Sequence, residues 1–366
     1  VSGSDRNVEA PSISSLRRKG AEIFPESSAK INPQTDVVVY STAIEHTHPI
    51  LNYALKNNIK TVHRAKALSD ALSSKKIIAV AGTCGKSSVT ALLGHILIEN
   101  GFRPLCVNGA EVPGWEGAVY FGNGQYAVVE VDESDKSLSA FKPYAAIVTN
   151  SSADHFSKEE MDEVFDEFVE GIKGPVIDAR NDIYPPGAFM RQNEKLAVKM
   201  ACALGCDEKS AIRSLSTFRG VKRRLEKYSE NVFDDYAHNT EKLRAMIQSL
   251  RIDGRKSLCI IWRPHGYGPL RKMLESLAGM FDEELSESDK LLLLPVYDAG
   301  GTADRSVNSV NLAQLLPDAK VHLVSGHEEA FGWCGKHIAE YDAFVTAGAR
   351  DVFLPRLAER ISKIRR

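Results

Sequence analysis

Apolar residues along this chain fall into short β-branched runs separated by stretches with helical spacing, and the alternation continues to the end. That pattern predicts parallel α/β layers. "DVVVYS" (36–41) reads as a buried strand, "HPILNYALKNN" (48–58) as a helix and "KTVHRA" as a further strand. "KKIIAVAG" opens a second series, and "SSVTALLGHILIENG" after it places Val89, Leu92, Leu93, Ile96 and Leu97 on one helical face before Gly101 stops the helix. "YAVVEVDESD" (126–135) and "YAAIVTNSSADH" (144–155) read as buried strands of the same series. From about Lys227 a third series follows, with "NVFDDYAHN", "SLCIIWRPH", "KLLLLPVYDAGG", "KVHLVS" and "DAFVTAGA" as strands. The predicted units are 1–74, 75–226 and 227–366. In most of them polar residues stand just past the apolar run, at the carboxyl ends of strands, where open parallel sheets bind ligands.

Composition narrows the function. The apolar fraction of 43% in 366 residues fills several cores, so disorder is not the expectation. A net charge of -2 without a basic tract gives no reason to expect nucleic acid or an anionic membrane as partner, while small anions remain possible through local charge. The six cysteines form no CxxC and no zinc pattern, which favours reduced thiols. Cys202 and Cys206 are spaced one helical turn apart and read as packing residues. No apolar run reaches the ~18 residues of a membrane span, and "VSGSDRNVEA" lacks the features of a signal peptide. A cytoplasmic protein is expected.

The stretch with the most chemistry is "AGTCGKSS" (81–88). The general phosphate loop, G-x-x-x-x-G-K-[ST], would require glycine at Val80, so this loop is shorter than the general form. Its context of strand, glycine turn and helix is nonetheless what phosphate binding needs. Backbone N–H groups turn inward, the helix N-terminus attracts anions, Lys86 reaches toward phosphates, and the Ser87 hydroxyl is placed for magnesium.

"AGTCGKSSVTALL", "VVEVDESD", "IVTNSSADH", "FRGVKRRLE" and "DDYAHN" occur in this order, and the set resembles the Mur ligases, whose phosphate loop is the compact G-T-x-G-K-[ST]. The similarity is strongest to the alanine-adding branch and runs from Val1 to "VTAGARDVF". It implies a three-domain architecture: a partial Rossmann-like N-terminal domain, a central P-loop ATPase-type parallel sheet and a Rossmann-like C-terminal domain. The implied activity is ATP-dependent and ADP-forming. A carboxylate, that of UDP-N-acetylmuramate in this branch, is phosphorylated to an acyl phosphate, and the amine of L-alanine attacks it, a step of peptidoglycan precursor synthesis. ATP and Mg2+ are the implied cofactors, with a monomer or weak homodimer as the assembly.

The resemblance also assigns residues. Lys86, Glu130 and His155 would be catalytic, and Ser87, Glu130 and His155 would hold magnesium. Gly82, Thr83, Cys84, Gly85, Lys86, Ser87 and Ser88 would bind ATP, joined by Arg224, Asp235 and His238 from the far side, the aspartate at the ribose. Ser4, Asp5 and Ser41 would meet the UDP substrate, and Arg263, His265 and Arg271 the amino acid. The chain departs from the pattern at four places. Cys84 replaces a usual histidine; the first strand and its glycine-rich turn are not in the sequence ahead of Val1, either trimmed from it or lacking in the natural chain; only 171–189 stands where relatives carry a further small β region; and "RPHGYGPLRKM" has Gly266 and Pro269 where the branch has carboxylate-holding arginines. Arg263 or Arg271 is the expected substitute. An altered segment there also leaves open a different amino acid or acceptor, or a nucleotide-binding relative without turnover.

Overall fold

The computed structural model describes every residue except 6, 10, 29–30, 43, 46, 134–136, 152–157, 186, 299, 301–303 and 366. His155 therefore lies outside the described residues. All elements and contacts below concern the described ones.

The amino-terminal part consists of two separate parallel pairs. β1 (Ser2–Asp5) pairs with β2 (Glu22–Pro25), and helix α1 (Pro11–Arg18) connects them. β3 (Val37–Tyr40) pairs with β4 (Lys60–His63) through α2 (Pro49–Lys56), and α3 (Arg64–Ala71) follows. α2 starts at Pro49, whose missing N–H costs nothing at a first turn, and the His48 ring caps it by accepting from Ile50 N–H. The expectation of a buried strand at 36–41 is corrected here. Val37 and Val39 are 41% and 55% exposed, because a two-stranded ladder has one face covered by its helices and the other open.

The central sheet has the order β10-β9-β5-β8-β6-β7. Its strands are β5 (Lys76–Ala81), β6 (Leu105–Val107), β7 (Val119–Phe121), β8 (Tyr126–Glu130), β9 (Ala145–Val148) and β10 (Val176–Asp178), all parallel except the β6/β7 pair. β5, β8 and β9 are apolar runs because both faces are covered. Helix α4 (Lys86–Glu99) packs between this sheet and α6 (Phe189–Ala203) and α7 (Glu208–Leu215), while α5 (Lys158–Val169) covers the other face. The single apolar stripe expected for α4 is too narrow a description. Ser87, Ser88, Thr90, Ala91 and Gly94 are buried as well, so the helix is enclosed on nearly every side. Cys206 is also not one helical turn from Cys202, since α6 ends at Ala203, yet both pack on the same core and all six cysteines are free thiols.

The third sheet has the order β11-β12-β16-β13-β14-β15. It comprises β11 (Glu226–Ser229), β12 (Val232–Asp235), β13 (Leu258–Trp262), β14 (Lys290–Leu293), β15 (Val321–Leu323) and β16 (Ala343–Ala347), parallel except for the β11/β12 pair. Helices α8 (Thr240–Ile252), α9 (Tyr267–Glu284), α10 (Ser309–Ala313), α11 (His327–Lys336) and α12 (Leu354–Ser362) enclose it on both faces. Trp262 and Phe281 are fully buried with ring centroids 5.7 Å apart, and each contributes on the order of 2–3 kcal/mol by burial. Among the described residues no helix is long and apolar enough to cross a membrane.

Candidate active site

The loop after β5 owes its shape to two glycines. Gly82 has φ 126 and Gly85, the residue before α4, has φ 85, a region that side chains disfavour. Space matters as much as torsion, because a Cβ on Gly82 would stand 2.1 Å from Thr149 Oγ1. The end of β9 braces the loop from the side. Thr83 Oγ1 and Cys84 N–H donate to Asn150 Oδ1 at 2.7 and 2.9 Å, and Asn150 Nδ2 and Thr149 Oγ1 donate to the Cys84 carbonyl at 3.0 and 2.6 Å. These bonds hold the backbone in a concave turn.

Lys86 Nζ donates to the Gly82 carbonyl and to Glu133 Oε2, both at 2.7 Å. Burial works against its charge, but Glu133, Glu130 and Asp132 outweigh that effect and hold its pKa above the ordinary lysine value. Burial pushes the Glu133 carboxyl up in spite of Lys86. Ser87 Oγ donates to Glu130 Oε1 at 3.1 Å, and Gly109 N–H donates to Glu130 Oε2 at 2.6 Å. A hydroxyl and a carboxylate oxygen therefore stand together beside the loop, the hard donor set that suits magnesium.

The opposite wall comes from the third sheet. Arg224 Nη2 approaches Ser87 Oγ at 3.4 Å, and its guanidinium lies 5.1 Å from the Tyr236 ring centroid. The linker that carries it turns sharply, with Arg223 at φ 60 and Leu225 at φ 45. Asp235 steadies that turn: Leu225 N–H and Ala237 N–H each donate to one of its oxygens at 2.7 Å. Burial raises the Asp235 pKa against the pull of Arg224. Arg223 locks the base of the linker, donating to Asp234 at 2.9 Å and to the carbonyls of Gly348 and Ala349 at 2.5 and 3.2 Å.

Between the two walls lies a cavity of about 310 Å³. Thr83, Cys84, Gly85, Lys86, Ser87, Ser88, Glu130, Arg224, Asp235 and His238 all line it. Gly82 contributes through its carbonyl on Lys86. His265 adjoins the cavity, its ring 4.9 Å from that of His238. Ser4, Asp5 and Ser41 are not brought to this cavity: they stand at the ends of β1 and β3 in the amino-terminal pairs, and Ser4 and Asp5 are exposed. Arg263 and Arg271 are elsewhere too, and neither offers an unoccupied guanidinium. Arg263 is paired with Asp351 at 2.7 Å, and Arg271 with Asp304 at 2.6 Å.

Sequence reasoning missed several lining groups. Asn150 and Glu133 sit inside motifs already noticed, five residues before His155 and three after Glu130. Phe189, Met190, Ala245 and Met246 form an apolar part of the wall on α6 and α8, with Lys242 nearby, and no local pattern marks them.

Similarity to known proteins agrees with this architecture. Residues 1–76 match the profile described as "Mur ligase family, catalytic domain", and residues 223–350 match "Mur ligase, glutamate ligase domain". The chain is 27% identical to the UDP-N-acetylmuramate--L-alanine ligase of Dictyoglomus turgidum, over 96% of this chain and 89% of that protein. It is 28% identical to the enzyme of the same name from Bdellovibrio bacteriovorus, over 96% and 90%. Among solved structures, the UDP-N-acetylmuramate-alanine ligase MurC of Thermotoga maritima superposes with a TM-score of 0.75 at 22% identity, covering 99% of this chain and 92% of that one. A murein peptide ligase of Psychrobacter arcticus gives 0.63 at 19% identity, over 100% and 94%. With family profiles matched at both ends, relatives aligned along nearly the whole length and the same fold throughout, the chain belongs to the Mur ligase family.

Proposed function

We propose that this protein is an ATP-dependent, ADP-forming carboxylate–amine ligase that joins L-alanine to the carboxylate of UDP-N-acetylmuramate. The observation that carries the reading is the cavity itself, where a short phosphate loop on one sheet faces Arg224, Asp235 and His238 on another. Two walls on separate sheets suit a reaction whose reactants must be gathered before water can intervene. The relatives' name supplies the substrates.

Bound ATP supplies the phosphoryl group that turns the acceptor carboxylate into an acyl phosphate, with ADP leaving and inorganic phosphate released when the amine attacks, and the chain's residues do the rest. The loop amides and Lys86 hold and neutralise the phosphates. Ser87 and Glu130 fit a magnesium ion by their paired oxygens, and His155 is assigned a second ion. Arg224 adds positive charge from the far wall, Asp235 and His238 meet the nucleotide there, and the apolar patch of Phe189, Met190 and Met246 suits a purine face. Ser4, Asp5 and Ser41 are assigned to the UDP substrate, and His265 to the amino-acid side. We assign the reaction to the cytoplasm and the working form to a monomer or weak homodimer.

Phosphate release from ATP tests the reading. It should require both UDP-N-acetylmuramate and L-alanine, and Lys86→Ala should lower kcat by about a thousandfold or more while the far-UV spectrum is unchanged. Release that ignores both substrates, or full activity in Lys86→Ala, refutes it. A second reading, a ligase using another amino acid, is favoured by Gly266 and Pro269 together with the occupied state of Arg263 and Arg271. An amino-acid scan in the same assay separates the two.

A further inference from the structure

The amino-acid carboxylate needs a cation, and the arginines expected to provide it are engaged. Besides its ion pair with Asp351, Arg263 donates through Nε to the Pro295 carbonyl at 3.1 Å and lies over the Tyr297 ring. Arg271 also donates to Ser306 Oγ at 3.2 Å. Arg305, another cation at this end of the sheet, is tied to Asp298 at 2.8 Å. Arg350 is different. It is exposed, and among the described residues its guanidinium makes no hydrogen bond, ion pair or ring contact.

Its backbone, by contrast, is held from both sides. Ahead of it, Arg223 grips the carbonyls of Gly348 and Ala349, and Gly348 N–H donates to the Asp235 carbonyl at 3.2 Å. Behind it, Asp351 accepts from Arg263 Nη1 and His327 Nε2, each at 2.7 Å, and from Phe353 N–H at 2.9 Å. Those donors overcome the effect of burial and hold the Asp351 carboxyl far below the usual carboxylate range. Arg350 is thus the one residue between two clamps, on a loop that cannot wander.

The side chain reaches a particular place. Its Nη1 lies 3.8 Å from the position a Cβ on Gly266 would take. Gly266 has φ 163 and ψ 155, extended backbone that any residue adopts, and its nearest other neighbour, Pro269 Cδ, would be at an ordinary 3.4 Å. Backbone geometry therefore does not require glycine here. What the missing side chain provides is room next to the Arg350 guanidinium. Gly266 directly follows His265, whose ring meets that of His238 on the cavity wall, so the Arg350 guanidinium stands beside the residue that follows a side chain adjoining the cavity.

We propose that Arg350 holds the carboxylate of the incoming amino acid, with the cation supplied by the loop between β16 and α12 instead of the loop between β13 and α9. The assignment rests on the ligase reading above. A guanidinium presents paired N–H donors that match a carboxylate, and one without a partner among the described residues keeps both for the substrate.

The test uses the full chain in the phosphate-release assay with L-alanine and with L-alaninamide, which keeps the amine and lacks the carboxylate. Arg350→Ala should raise the KM for L-alanine at least about tenfold, leave the KM for ATP unchanged, and bring the wild-type preference for L-alanine over its amide close to one. Arg350→Lys should recover part of that preference. The double variant Gly266→Arg with Arg350→Ala should recover L-alanine binding from the other loop, which a merely structural role for Arg350 would not allow. An unchanged KM for L-alanine in Arg350→Ala, or an equal loss with both amines, overturns the assignment while the ligase reading stands. Absence of amine-dependent release in the wild type with any amino acid overturns both.

Discussion

Lys86 is a cation kept charged by carboxylates in a place where phosphate would do the same. Its bond to Glu133 at 2.7 Å takes up one of its three donors, so an anion that draws Lys86 away has to compete with a carboxylate that is itself costly to bury. Removing the charge removes the competitor. Glu133→Gln should therefore bind the non-hydrolysable ATP analogue about threefold to tenfold more tightly by isothermal titration calorimetry. An unchanged Kd would mean that the Lys86–Glu133 pair survives in the nucleotide complex and that phosphate is held by the backbone alone.

At the scale of the element, the turn between β5 and α4 is closely confined. Gly82 is closed in by Thr149 Oγ1 and by the backbone nitrogens of Thr149 and Asn150, at 2.1, 3.0 and 3.1 Å from a would-be Cβ, and only the first belongs to a side chain. Gly82→Ala must strain both its own torsion and the β9 end. The expected loss is about 3 kcal/mol in urea unfolding, together with a raised KM for ATP. A variant as stable as the wild type would show that β9 can retreat. That same close approach explains how a loop shorter than the general form keeps its shape: β9 supplies the walls that additional loop residues would otherwise provide.

For the whole molecule, the segment Arg223–Leu225 joins the two large sheets, and its anchor is the buried Asp234. Burial pushes the Asp234 carboxyl up to about 6, although Arg223 and Thr346 act in the opposite direction. A carboxyl whose pKa is higher folded than unfolded binds more protons in the folded state, so its contribution to stability falls as pH rises from about 4 to about 6. Wild type should accordingly lose Tm relative to Asp234→Asn across that window, and the difference should level off above it. A difference that stays flat with pH would show that Asp234 binds protons equally in the folded and unfolded states. Asp351 acts in the other sense: its depressed pKa gives stability that is present above the unfolded carboxylate range and lost only in strong acid. The junction is therefore expected to lose its grip in two separate pH ranges.

The local order of the chain carried much of this. Runs such as "KKIIAVAG" and "SLCIIWRPH" specify buried parallel strands by themselves, because continuous β-branched and aliphatic residues are stable only with both faces covered. The glycine turn between β5 and α4 was equally legible, since its signals lie within a few consecutive residues. Other features depend on neighbours that are distant in sequence. Asn150 reaches the loop from 66 residues away, Arg263 meets its partner 88 residues on, and the exposure of Val37 and Val39 follows from a ladder of only two strands. Whether an arginine is available to a substrate is a question of what else lies within about 3 Å of it. So the amino-acid sequence by itself determined the strands, the helices and the glycine turn that we assign to phosphate, all of them short-range consequences of torsion and apolar period. Only the tertiary structure decided which charges are already spent on one another and that Arg350, beside Gly266, has no partner among the described residues, because ion pairing is set by distance in space and not along the chain.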